Sequence, residues 1–284
     1  MGDELVEGAR GRRSQFAVVN GLQLHYREAG PFDGFPVVVL HGIMGHSREW
    51  DGLIHALAAH FRVVAPDARG HGGSDWATEY SLESMADDLA RLVHHLGLSR
   101  AHLVGHSVGA IAALLVAAGR PNLVERLVLM DIGPDSLTAQ WVRELHDMLD
   151  AFALAQYEDP EDAVEVWLGA NPRARPDVLW HYVRHNLGRR ADGVYEWLFD
   201  ARRIRGFLDD AQAECWLWNA LNLVRAPTLL IRGADSDVLS PVTAEQMVRS
   251  LAGGSLYEIP EAGHDVGLEQ PAAVTQAVLT FLGT

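Results

Sequence analysis

Ser107 stands at the centre of Gly105-His106-Ser107-Val108-Gly109, and His264 follows Gly263 late in the chain. A serine hydroxyl is a poor nucleophile until a base removes its proton. Histidine is the side chain whose ordinary pKa lets it take that proton and return it near neutrality. Gly-x-Ser-x-Gly between a strand pattern and a helix pattern predicts a sharp turn with the hydroxyl raised above a sheet, and the helix that follows aims its amides at developing negative charge. The pair therefore predicts attack on a carbonyl carbon. His106, adjacent to the serine on that turn, points elsewhere and is read as structural.

Two further parts are needed. Amide donors for an oxyanion are expected from Ile43, in His41-Gly42-Ile43-Met44-Gly45, and from Val108, the residue after the nucleophile. His41 then braces its loop. A carboxylate must hold the base in one tautomer, and three aspartates qualify by type. Asp235 and Asp237 follow an apolar run in Gly233-Ala234-Asp235-Ser236-Asp237, and Asp131 ends another such run.

The elements that must position these groups can be read from periodicity. Short apolar or alternating runs at 15–19, 22–27, 37–40, 61–65, 102–104, 127–130, 228–231 and 256–259 predict eight strands, the first two joined by an Asn20-Gly21 hairpin turn. Leu82, Met85, Leu89, Leu92, Val93 and Leu96 recur at helical spacing, and 107–119, 243–251 and 272–282 read as further helices. Such alternation predicts a mostly parallel sheet covered on both faces. It breaks once, between Gly133 and Val224, where helical periodicity holds and no strand is expected. The predicted organisation is a core of residues 1–133 and 225–284 with a helical insertion, 134–224, over one end of the sheet. Six of the eight tryptophans lie in that insertion. For any one of them packing is the default reading, but Trp216 and Trp218 are taken as candidates for the wall of a substrate cavity. An inward-facing arginine among Arg189, Arg190, Arg202, Arg203 and Arg205 would select a carboxylate-bearing substrate.

Composition narrows the partners. The 284 residues carry 23 Lys+Arg against 38 Asp+Glu, a formal charge of −15, which repels nucleic-acid backbones and anionic lipid surfaces. A small-molecule substrate is expected, with no nucleic acid and no membrane as partner. Residues 1–15 contain no apolar core of signal-peptide length, so a cytoplasmic location is the expectation. Cys215 is the single cysteine, and no histidine pair has HExxH spacing, so neither a metal nor another cofactor is expected.

Five motifs in this order resemble the α/β-hydrolase superfamily, in particular its small esterases, lactonases and carbon–carbon hydrolases: His41–Gly45, Asp67-Ala68-Arg69-Gly70-His71-Gly72-Gly73-Ser74-Asp75, the serine turn, the segment ending at Asp237, and Gly263-His264. The resemblance covers nearly the whole chain. It implies the catalytic order Ser107, Asp237, His264, makes Asp67, Arg69 and His71 structural, and makes the insertion a helical cap. It also implies an acyl-enzyme route on a small, largely apolar ester or lactone. The alternatives it carries are cleavage of vinylogous diketones by the same residues, and a receptor-like member that binds with little turnover.

Overall fold

The computed structural model describes residues 13–136, 138–208 and 213–284. Most of the segment on which a signal peptide was sought therefore lies outside the described residues. All eight predicted strands are present and form one sheet: β1 (Arg13–Val19), β2 (Leu22–Ala29), β3 (Phe35–Leu40), β4 (Phe61–Pro66), β5 (Ala101–His106), β6 (Val124–Met130) and, after a short two-stranded ribbon, β9 (Thr228–Gly233) and β10 (Gly254–Ile259). The order is β1-β2-β4-β3-β5-β6-β9-β10. Only the β1–β2 and β2–β4 pairs are antiparallel. The Asn20-Gly21 turn has both residues at positive φ, 52° and 77°, as a two-residue hairpin requires.

Strands β4 and β5 are buried along their whole length, and apolar clusters cover the sheet on its two faces. One cluster holds α2 (Leu82–His95) and α3 (Val108–Gly119), the other α1 (Asp51–Leu57) and the C-terminal helix. Helix α2 starts where its chemistry says it should: Ser81 and Ser84 cap each other's backbone amides, and Leu82, Met85, Leu89, Leu92 and Val93 turn inward.

The insertion contains α4 (Ala139–Leu154), α5 (Pro160–Ala170), α6 (Pro176–His185), an antiparallel ribbon of β7 (Leu187–Arg189) and β8 (Tyr195–Trp197), and α7 (Ala213–Leu223). Thr138 and Asp159 cap α4 and α5, while proline opens α5 and α6. The ribbon corrects the expectation of an all-helical block; three-residue strands are too short to show a period of two. Aromatic packing holds this unit together. Phe152 stacks on Trp167 at 5.6 Å, and Trp197 lies edge-on to Phe152 and stacked with Phe199. Helix α7 packs instead against α3 and α8 (Pro241–Ser250), on the flank of the sheet. The chain closes with β9 (Thr228–Gly233), α8, β10 (Gly254–Ile259), the single turn α9 (Val266–Glu269) and α10 (Pro271–Leu282). Among the described residues no helix is long and apolar enough to cross a membrane.

Candidate active site

Ser107 occupies the turn between β5 and α3 with φ 51° and ψ −126°, a conformation that L residues rarely adopt. Both flanking glycines are forced by space. A Cβ on Gly105 would meet the Gly109 carbonyl oxygen at 2.5 Å, and one on Gly109 would meet the His41 oxygen at 2.4 Å. The serine hydroxyl lies 3.2 Å from His264 Nε2, in the loop between β10 and α9. On the other side of the ring, Nδ1–H donates to the Asp131 carboxylate at 3.0 Å. The two residues singled out in the sequence, Ser107 and His264, are therefore within hydrogen-bond distance of each other.

The carboxylate that bonds His264 is that of Asp131, not that of Asp237, which the resemblance implied as the acid. Asp131 is fully buried at the end of β6, with its own backbone bent to φ 48°. Besides His264 it accepts the Gly233 amide at 2.9 Å and the Ser236 hydroxyl. The segment expected to carry the acid thus supplies two donors to the acid of the neighbouring strand. Asp237 is exposed on the cavity lining, and Asp235 faces Arg173 at 3.8 Å on the surface. The physical reason is adjacency. Strands β6 and β9 pair in parallel, with Met130 opposite Ile231, so both strand ends open toward His264 and residue type cannot choose between them.

Burial works to lower the His264 pKa, but the hydrogen bond and charge of Asp131, with Asp265 and Asp237 adding, outweigh it and raise the pKa above 6.5. The neutral imidazole is the form that accepts a proton, so kcat/KM for any hydrolysed substrate rises with pH through a midpoint above 6.5. Asp131→Asn should move that midpoint down, because burial then acts without its main opponent. A pH–rate profile of the two proteins on a chemically stable substrate checks both statements.

The amides of Ile43 and Val108 donate to no internal partner among the described residues: Val108 opens α3, where a helix has no acceptor for its amide, and Ile43 belongs to the β3–α1 loop on the cavity lining. That loop is held from several directions. His41 Nδ1 donates to the Gly42 carbonyl oxygen while Nε2 accepts the Ala68 amide. Met44, at φ 62°, gives its amide to His71 Nε2. From the insertion, the Tyr182 hydroxyl and the Asn186 side-chain amide both donate to the Met44 carbonyl, and His46 Nε2 donates to the Tyr182 carbonyl. Asp67, Arg69 and His71 are structural: Asp67 gathers the Ser47 and Gly73 amides, and Arg69 forms a fork on Asp88.

These groups face a cavity of about 410 Å³ between the sheet and the insertion. Its apolar wall is Trp141, Leu145 and Met148 from α4 and Trp167 from α5, with Trp141 edge-on to His264 at 6.5 Å. Trp216 and Trp218, expected there, are instead partly buried on α7 against the core. Helical periodicity told that a tryptophan was on a helix but not that this helix packs beside the sheet. None of the five arginines named above lines the cavity. Glu49 and Asp265, both on the lining, carried no signal in the sequence, because they follow no strand and match no motif.

An α/β sheet with a serine turn, a histidine loop and an acid at adjacent strand ends defines a hydrolase, and residues 36–271 match the alpha/beta hydrolase fold family. The chain belongs to that family. It is 30% identical over 266 residues to Lipase LipV of Mycobacterium tuberculosis, covering 92% of this chain and 98% of the lipase. It is 31% identical over 255 residues to Esterase Rv0045c of the same organism, covering 87% and 83%. Among solved structures, E-2-(Acetamidomethylene)succinate Hydrolase is similar with a TM-score of 0.88 and 26% identity, over 96% of this chain and all of that one.

Proposed function

We propose that this hydrolase cleaves small, largely apolar carboxylic esters through an acyl-enzyme on Ser107. The observation that carries the reading is the unbroken line from the Ser107 hydroxyl through both ring nitrogens of His264 to buried Asp131, opening on a cavity with a tryptophan and methionine wall. Attack of Oγ on the carbonyl carbon transfers the hydroxyl proton to Nε2, and Asp131 stabilises the imidazolium. The Ile43 and Val108 amides receive the oxyanion. Collapse returns that proton to the leaving alkoxide, which departs as alcohol. Water then gives a proton to Nε2 and attacks the acyl carbon, and the second collapse releases the acid and restores the serine. The lipase and esterase names of the similar proteins support the ester as substrate. The cavity's apolar wall and the absence of lining arginines among the described residues disfavour a carboxylate-bearing acyl group.

A fluorophosphonate should label Ser107 stoichiometrically, and p-nitrophenyl esters of rising acyl length should turn over. Trp141→Ala should lower kcat/KM for hexanoate about tenfold or more while sparing acetate, since only the longer chain reaches the apolar surface removed. Labelling without turnover on any short ester would replace the reading with that of a binding protein.

A further inference from the structure

One corner of the cavity gathers a ring nitrogen and carboxyl groups around an unfilled gap. His106 Nε2 lies 3.0 Å from the His264 carbonyl oxygen, so that nitrogen carries the proton, and Nδ1 is left as a bare lone pair. This Nδ1 is buried with no hydrogen-bond partner among the described residues, on a ring only 6% exposed, and the residue lines the cavity. Burial holds the His106 pKa down at about 4, so the lone pair stays free at neutral pH. The Glu49 carboxylate, also 6% exposed, stands 3.8 Å from it, too far for a direct bond. Asp265 completes the corner, with an oxygen within 4.8 Å of ring nitrogens of both His106 and His264. Glu144 and Asp237 add two further carboxylates to the lining, and among the described residues no arginine lines the cavity to oppose the four.

Donors that could have satisfied this corner are committed elsewhere. The Tyr182 hydroxyl serves Met44, and the Ser107 hydroxyl serves His264. The Trp50 and Trp167 indole N–H groups, both unpartnered, reach none of these acceptors, although the Trp50 ring lies edge-on to His106 at 5.9 Å. A single atom about 3 Å from both Glu49 and His106 Nδ1 fits geometrically across a 3.8 Å gap, and only a group with several N–H donors serves two or three acceptors at once.

We propose that the Glu49–His106–Asp265 corner is a recognition subsite for a protonated primary amine, so that the preferred substrates are esters bearing an ammonium group beside their apolar part. The inference rests on the ester-hydrolase reading for the word substrate, not for the binding itself. Burial and the nearby Asp265 charge push the Glu49 carboxyl well above the ordinary range, and a cation bound in the corner would oppose both by favouring the charged form.

The test is calorimetric titration with n-hexylammonium, n-hexanol and Zn²⁺ alone, on the wild type, Glu49→Gln and Asp265→Asn, with p-nitrophenyl butyrate turnover measured on the same preparations. The ammonium should bind the wild type at least tenfold more tightly than the isosteric alcohol, the advantage expected of charge-assisted hydrogen bonds in a closed site. Glu49→Gln should bring the two within about twofold, with the alcohol's affinity unchanged as the sign that the cavity is intact. Equal wild-type affinities overturn the proposal whatever the variants do. So does binding of Zn²⁺ without binding of the ammonium, which would make the cluster a metal trap. Absence of ester turnover with the ammonium preference intact would sink the ester reading and uphold the subsite.

Discussion

Ser107→Ala should lower kcat by about 10⁶-fold, the order of loss seen when the nucleophile of a serine triad is removed. The oxyanion donors and the cavity remain, so a residual acceleration on the order of 10³–10⁴ over the uncatalysed reaction should survive. Alanine keeps the Cβ and the positive φ of the turn and removes one hydrogen bond to His264, a change of about 1 kcal/mol that moves the melting temperature by only a few degrees. A variant with a native melt and more than a few per cent of wild-type kcat would end the acyl-enzyme mechanism.

Asp131→Asn should cost roughly 10⁴ in kcat, and Asp237→Asn less than tenfold. Asparagine in the Asp131 site can keep the Gly233 amide bond through its carbonyl oxygen. Its NH₂ then faces His264 Nδ1, which must accept rather than donate. The ring proton is forced onto Nε2, where it confronts the Ser107 hydroxyl instead of receiving its proton. Asp237 only adds to the charge around His264 from the exposed rim, behind Asp131 and Asp265 in effect. Steady-state kinetics of the two variants decide the assignment, and the reverse ranking would return the acid to Asp237.

What the sequence made legible was whatever depends on neighbours in the chain. The eight strands, the Asn20-Gly21 turn, the serine turn with its two enforced glycines and the loop position of His264 all follow from local chemistry, and all are in the fold. The acid was narrowed to three residues by type, and the choice among them depended on how two adjacent strand ends bend. Asp131 wins because its amide bonds to the Ile231 carbonyl and its φ of 48° turns the side chain toward His264, neither of which leaves a trace in spacing. The cavity wall was illegible for a similar reason. Trp141 and Trp216 both sit on helices, and only the packing of α4 over the site and of α7 beside α3 separates a cavity contact from a core contact. Glu49 and His106 Nδ1 are recognisable only by what fails to reach them.

The three bonds that tie the Ile43–Met44 loop to α6 and its C-terminal Asn186 make the roof and the catalytic donor one mechanical part. At about 1 kcal/mol each they hold a detached roof to a population on the order of one molecule in 10². Lifting α6 removes the restraint on the Met44 carbonyl, and with it the register of the adjacent Ile43 amide against Ser107. Entry of a large substrate by that route would therefore disarm the nucleophile until the roof reseats. Such an interlock would space admission and reaction in time, because water entering beneath a raised roof would meet a serine with half of its proposed oxyanion support missing.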